Sequence, residues 1–93
     1  MIACGEGILR VTVPMTLDHA EALLAAGIAA LQAGPWRVDL SAVSEADSSA
    51  IAVMLGWLRA APALSAQLQF EHVPEGIAAL ADLYGVRELL PLA

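Results

Sequence analysis

The sequence predicts an α/β fold in which a mixed four-stranded sheet is combined with three to four helices. Short segments with apolar residues at every second position alternate with longer segments whose apolar residues recur every three or four positions. Glycine and proline separate these segments. Only a short turn separates the first two strands, whereas helices separate the later ones. We therefore expect an antiparallel hairpin followed by parallel strands with right-handed crossovers.

The N-terminal segment predicts a hairpin. Met1–Cys4 is expected to form a short edge strand, with Cys4 as a small buried hydrophobe. Gly5–Gly7 has the glycines of a tight turn. Ile8–Val13 alternates apolar and polar side chains and predicts the second strand, which ends at Pro14.

The first helix is predicted over Thr16–Gln32. Two starts are possible: Thr16 as the N-cap, or a capping box formed by Asp18 and Glu21. Gly34 followed by Pro35 predicts its end. The apolar stripe of this helix has a 3.6-residue period and consists of Ala20, Leu23, Leu24, Gly27, Ile28 and Leu31.

The middle of the chain predicts a strand over Trp36–Leu40, a loop over Ser41–Ala46 and a second helix over Ser48–Ala60. Asp39 is expected to stabilise the loop by accepting backbone hydrogen bonds. Glycine in a helix interior is costly, so Gly56 indicates close packing. The apolar spacing of the helix is given by Ile51, Met54, Leu55 and Leu58.

The C-terminal third predicts a fourth strand over Gln67–Val73, with one face formed by Leu68, Phe70 and His72. Pro74 suits the first turn of a third helix, and Gly85 suits its C-terminal cap. The buried stripe of this helix is expected to be Ile77, Leu80, Ala81 and Tyr84, with Val86, Leu89 and Leu90 closing over the core.

Composition excludes several classes of function. Ten acidic residues oppose four arginines, which gives a net charge of −6. This balance disfavours nucleic-acid binding and attraction to an anionic membrane, because both need clustered basic residues. The longest uncharged run, Ala22–Trp36, is too short to span a bilayer. We therefore expect a cytoplasmic protein that forms a single domain over residues 1–93.

No metal, cofactor or catalytic site is predicted. His19 and His72 lack a surrounding set of ligands, and zinc needs three or four. A serine nucleophile would need a base within hydrogen-bond reach, and no histidine lies near Ser48 in the sequence. With Cys4 as the one cysteine, an internal disulfide is impossible. We expect no enzymatic activity.

The segment Asp47–Ser49 allows two interpretations. Asp47 can cap the second helix, with Ser48 and Ser49 in its first turn, because such residues satisfy the first backbone N–H groups of a helix. Alternatively, the helix start is a docking surface on which Ser48 decides whether a partner binds. A phosphate on Ser48 would be stabilised by the N-terminus of the helix.

The second helix is apolar on nearly all sides, which favours the docking interpretation. A single sheet covers one side of a helix, so the remainder is expected to meet a partner. Trp57 is either a core residue or an interface anchor, and the sequence leaves both open.

The residues Val38–Ser49, V-D-L-S-x-V-x-x-x-D-S-S, resemble the signature of STAS domains, the module of sulfate transporters and anti-sigma-factor antagonists. The order of strands and helices is similar to that fold over nearly the whole chain. Within the family, the tail Leu80–Pro91 and the apolar helix after Asp-Ser look like the MlaB type. MlaB-type proteins are cytoplasmic subunits of a phospholipid ABC transporter that maintains outer-membrane lipid asymmetry.

The resemblance implies a role for each residue of the motif. Ser48 matches the hydroxyl residue that is phosphorylated in anti-sigma-factor antagonists and presented to the transporter ATPase in MlaB-type proteins. Asp47 matches the acid beside it, and Ser49 the second small residue. Ala50 departs from the usual glycine, which puts the geometry of partner contact in question.

The resemblance therefore implies a non-enzymatic subunit, peripheral to the inner membrane, that binds an ABC transporter ATPase. The contact residues would be Asp47, Ser48, Ser49 and Ala52, with Trp57 flanking them. The alternative partner is an anti-sigma factor, a serine kinase that phosphorylates Ser48. A third possibility is a small-ligand site in the loop above the sheet.

Overall fold

The computed structural model describes residues 1–92 and confirms the predicted order of strands and helices. The single-domain prediction extends to Ala93, which lies outside the described residues. The elements are β1 (Ile2–Gly5), β2 (Ile8–Val11), α1 (Leu17–Ala30), β3 (Gly34–Asp39), α2 (Ser49–Ala60), a 3-10 turn (Ala61–Leu64), β4 (Ala66–Glu71), α3 (Glu75–Leu83) and a second 3-10 turn (Arg87–Leu89).

The sheet is mixed, as predicted, and its strands follow the chain order β1-β2-β3-β4. The β1–β2 pair is antiparallel and the other two pairs are parallel. Leu9, Val38 and Phe70 stand in one row across the parallel strands and are buried. Right-handed crossovers place α1 and α2 on this same face, and the two helices contact each other. The opposite face carries Arg10, Arg37, Gln67, Gln69 and Glu71.

Helices α1 and α2 pack closely against each other because each has a glycine at the contact. The Trp57 side chain is only 1% exposed, and its Nε1 donates to the carbonyl oxygens of Leu23 and Leu24 at 3.3 and 3.2 Å. A Cβ on Gly27 would overlap the Trp57 indole, so only glycine leaves room for that ring. A Cβ on Gly56 would lie 2.6 Å from Leu24 Cδ1, which confirms the close packing expected at Gly56.

Most of the part of α2 that was expected to meet a partner, because the sheet leaves it open, is instead covered by other helices of the chain. Helix α1 packs along one flank of α2, and α3 also contacts α2. Trp57 is therefore a core residue and does not reach the surface. Ser48 and Ala52 stay exposed. The buried residues of α2 are Ala50, Ile51, Val53, Met54 and Trp57.

Four further residues differ from their predicted environments. Leu89, which was expected to close over the core, is 64% exposed in the second 3-10 turn. Cys4 is exposed, because β1 is an edge strand with a neighbour on one side only. Tyr84 is 53% exposed, because α3 ends at Leu83 and the chain then turns away. His72 does not continue the buried face of β4, because the strand ends at Glu71 and His72 takes a left-handed φ of 54°.

The helix ends confirm some predicted caps and correct one. The Asp18–Glu21 capping box is wrong: Thr16 occupies the N-cap position of α1, and its side chain makes no capping bond. Gly85 does terminate α3, with a left-handed φ of 65°. The N–H of Val86 reaches the carbonyl of Ala81, the bond expected of a Schellman motif.

Candidate functional site

The candidate site lies at the carboxyl end of β3, where the chain leaves the sheet and enters α2. The segment just before α1 pairs with the end of this loop. Met15 donates its N–H to the carbonyl of Glu45 at 2.9 Å, and Asp47 donates its N–H to the carbonyl of Met15 at 3.2 Å. The two segments form a short parallel bridge at Met15 and Ala46. These bonds hold the start of α2 beside the start of α1.

Asp39 anchors the other end of the loop. The residue is 6% exposed, and its carboxylate accepts hydrogen bonds from the N–H of Ser41 at 2.9 Å and from Nε of Arg10 at 3.0 Å. The Nδ1 atom of His72 lies 3.1 Å from the same carboxylate. The Ser41 N–H is the largest cause that holds the pKa of Asp39 well below its ordinary range, although burial opposes it. The expected role of Asp39 in stabilising the loop is confirmed.

Asp47 joins the starts of two helices. Its Oδ1 accepts the N–H of Ser49 at 2.8 Å, and its Oδ2 accepts the N–H of Leu17 at 3.0 Å. The bond from Ser49 is the larger cause that lowers the pKa of Asp47, followed by the bond from Leu17. Asp47 therefore satisfies an N–H group at the start of α2, as the capping interpretation predicted, and one at the start of α1 as well.

Ser48 is exposed and is not used as a cap. Its backbone already has helical dihedral angles, with φ −61° and ψ −18°, and its side chain makes no capping hydrogen bond. Ser49 is half-buried beside it. Because Asp47 makes the capping bond, the Ser48 hydroxyl is not needed to start the helix and stands at the protein surface.

Four of the five predicted contact residues are brought together. Asp47, Ser48 and Ser49 form the start of α2, and Ala52 is exposed one turn further along the same side as Ser48. Trp57 is excluded by its burial. Ala50 is fully buried, so the methyl group that replaces the usual glycine points into the core and does not face a partner.

Sequence reasoning missed Leu17 as a surface residue of this site. It is 75% exposed, and its N–H is the group bound by Asp47 Oδ2. Leu17 precedes Ala20 by three positions and Leu24 by seven, a spacing that predicts burial. No pattern in the sequence therefore distinguishes it from the core residues of α1.

The described residues contain neither a candidate metal site nor a candidate membrane-spanning helix. Within residues 1–92, no group of three or more His, Cys, Asp or Glu residues is placed to hold a metal ion. None of the helices in this part of the chain is long and apolar enough to cross a bilayer.

Comparison with known structures shows the same fold. A protein of Thermotoga maritima described as an anti-sigma factor antagonist has a TM-score of 0.75 at 10% identity, and the alignment covers 99% of this chain and 83% of that one. A STAS domain protein of Planctomyces limnophilus has a TM-score of 0.74 at 18% identity, covering 98% and 87%. A sulfate transporter family protein of Wolinella succinogenes has a TM-score of 0.71 at 12% identity, covering 99% and 79%.

Sequence comparison identifies the family. No curated protein is detectably similar to this chain in sequence. A family model described as "Mlab, STAS domain", however, matches residues 3–91. This match includes every strand and helix except the first residue of β1. The chain therefore belongs to the STAS domain family.

Proposed function

We propose that this protein is a non-enzymatic subunit that binds the ATPase of a phospholipid ABC transporter and stabilises or regulates it. In this role it would act at the cytoplasmic side of the inner membrane, held there by its partner, in a system that maintains outer-membrane lipid asymmetry. STAS domains are in general regulatory or interaction domains and not enzymes. The description of the matching family model, which names Mlab, supports the transporter assignment within that class.

The observation that carries the proposal is the exposure of Ser48 at the start of α2. A serine that merely capped the helix would direct its hydroxyl to a backbone N–H, and here Asp47 makes that bond instead. Ala52 extends the accessible surface by one turn. The surface is narrower than the sequence suggested, because Ile51, Val53, Met54 and Trp57 of α2 are buried. Contact would therefore depend on Ser48, its neighbours and Ala52.

Replacement of Ser48 tests the docking surface. Ser48→Arg places a long charged side chain at the centre of the proposed contact, and we expect it to abolish co-purification with the transporter ATPase. Ser48 is exposed and makes no capping bond, so the far-ultraviolet circular dichroism spectrum should not change. Ala79→Arg, at an exposed position of α3, is the matched control and should keep the ATPase. If Ser48→Arg retains the ATPase at wild-type yield, the proposed docking site is wrong.

The second candidate function is that of an anti-sigma-factor antagonist controlled by phosphorylation of Ser48. The fold of the Thermotoga maritima and Planctomyces limnophilus proteins favours it, as does a surface hydroxyl in the first turn of a helix, where a phosphate is stabilised. Intact mass after incubation with a cognate serine kinase separates the two functions. A gain of one phosphate that Ser48→Ala prevents and Ser49→Ala does not would support the phosphoswitch.

A further inference from the structure

We propose that Leu17 is an apolar anchor of the docking surface around Ser48, and that the partner offers it an apolar pocket bordered by lysine or arginine side chains. The inference rests on the proposed function and names the chemistry of the partner at that same site. It assigns a role to a residue for which neither the motif nor the helical periodicity predicts one.

Leu17 lies at the surface, beside the start of α2. It is the first residue of α1 and is 75% exposed. The bond from its N–H to Asp47 Oδ2 holds it beside the start of α2, next to Ser48. An exposed leucine alone is ordinary on a protein surface. This one is held in place by the same carboxylate that caps the helix bearing Ser48.

Acidic residues surround Leu17. Asp18 follows it directly, Glu21 lies one helical turn further on, and Glu45 is held against Met15 by a backbone bond; all three acids are exposed. Asp47 itself is the fourth acid. This edge of the molecule is therefore negative around an apolar centre.

The arginines do not neutralise these acids. Among residues 1–92, Arg10 pairs with Asp39, Arg37 with Glu71, and Arg87 with Asp82. Arg59 is in the last turn of α2, eleven residues from Ser48, which is about 16 Å along a helix. Within residues 1–92, no arginine forms an ion pair with Asp18, Glu21, Glu45 or Asp47, so a partner with a basic rim complements this edge.

The test is titration of the full-length protein against the purified ATPase of the host phospholipid transporter, and separately against a purified anti-sigma-factor kinase. Leu17→Ala should weaken binding to the ATPase about tenfold or more, as expected for a leucine buried at an interface. Leu83→Ala is the matched control, because Leu83 is also 75% exposed but lies at the end of α3. That variant should bind within about twofold of wild type, the range of surface changes that miss an interface.

Charge is tested by the same titration. Glu21→Lys should weaken binding, and raising the salt concentration should weaken wild-type binding, because exposed opposite charges are screened. Glu88→Lys, at an exposed position in the second 3-10 turn, is the control for charge reversal and should leave binding unchanged.

The outcomes separate this inference from the proposed function. If Leu17→Ala binds the ATPase like wild type while Ser48→Arg does not bind, the role of Leu17 is wrong and the function stands. If wild type binds only the kinase, and Leu17→Ala weakens that binding, the anchor is supported and the transporter function is wrong. If wild type binds neither protein, both proposals fail.

Discussion

At the scale of single residues, the Asp47 side chain caps the helix and the Ser48 side chain does not, a distinction that the sequence could not make. The Asp47 carboxylate accepts one N–H from each of two helices, which begin at Leu17 and Ser49, 32 residues apart in the chain. Ser48 follows at the surface with its side chain outside this arrangement. Asp47 is therefore a positioning residue, and partner contact is left to its neighbours.

Removal of the Asp47 carboxylate should destabilise the protein. Asp47→Ala removes both acceptors, and Asp47→Asn removes one, because the amide keeps a single oxygen. We expect the midpoint of thermal unfolding to fall in the order wild type, Asp47→Asn, Asp47→Ala. Glu21→Gln is the matched control: it converts an exposed acid to an amide, and the Glu21 carboxylate, unlike that of Asp47, accepts no backbone N–H in the described structure. A midpoint for Asp47→Ala equal to that of wild type would contradict the double cap.

At the scale of elements, the contact between α1 and α2 decides which part of α2 is available. Gly27 makes room for the Trp57 ring, and Gly56 makes room for Leu24. The two helices approach closely enough for the Trp57 indole to reach carbonyl oxygens of α1. This packing leaves Ser48 and Ala52 as the accessible positions near the start of α2.

Replacing Gly27, Gly56 or Gly76 with alanine should change the free energy of unfolding by different amounts and in different directions. In a helix interior, replacing glycine with alanine normally stabilises by up to about 1 kcal/mol. At Gly27 the added Cβ overlaps the Trp57 ring, so Gly27→Ala should instead destabilise by about 1–3 kcal/mol, the range for overpacked cores. Gly56→Ala should cost less, because the opposing group is the end of the flexible Leu24 side chain.

Gly76→Ala is the control for this series, because a Cβ there meets nothing within 4 Å and Gly76 lies within α3. It should be neutral or stabilising. Urea denaturation of the three variants measures the free energies of unfolding. An unchanged or raised stability of Gly27→Ala would show that α1 and α2 are not packed around Trp57 as described.

At the scale of the whole molecule, Asp39 ties separate parts of the sheet together. It stands on β3, opposite Arg10 of β2, and also contacts His72 after β4 and the N–H of Ser41 in the site loop. The face of the sheet away from the helices is thus held by polar contacts, whereas the other face is held by buried apolar side chains. Ionisation of one buried carboxylate therefore supports both the sheet and the loop that leads to Ser48.

Stability should fall at acidic pH through Asp39. The pKa of its carboxyl is lower in the folded protein than in the unfolded chain, so its contribution is complete above the unfolded value of about 4 and is lost as the pH falls below it. Asp39→Asn should cost about 1.5–3 kcal/mol at neutral pH, the range for hydrogen bonds to charged groups. In urea denaturation, the difference between wild type and Asp39→Asn should shrink from pH 7 to pH 3. An equal difference at both values would show that ionised Asp39 does not stabilise the fold.

Local patterns were sufficient for the elements and their order. The alternation in Ile8–Val13 places Leu9 and Val11 in the core, and the stripe of α1 buries Leu23 and Gly27. The cap at Gly85 was also predictable, because a left-handed φ favours glycine there. These features depend on neighbours within a few residues, and the sequence contains those neighbours.

Apart from the Asp18–Glu21 capping box, the errors concern which element covers a residue. Tyr84 continues the apolar stripe of α3, yet the helix ends just before it and leaves it exposed. Leu17 has a spacing typical of a buried residue and is exposed for a similar reason, because it stands at the first position of its helix. Periodicity identifies the apolar side of an element, but it does not show whether another element lies against that side.

The sequence by itself determined the α/β class, the mixed sheet, the family and the segment Asp47–Ser49 as the candidate site, because period, turn residues and motif are local properties of the chain. Only the tertiary structure decided that Trp57 belongs to the core, that Asp47 caps both α1 and α2, and that Leu17 lies beside Ser48. These three facts join residues about thirty or more positions apart. The distance between such residues is set by strand register and helix packing, which no short segment encodes.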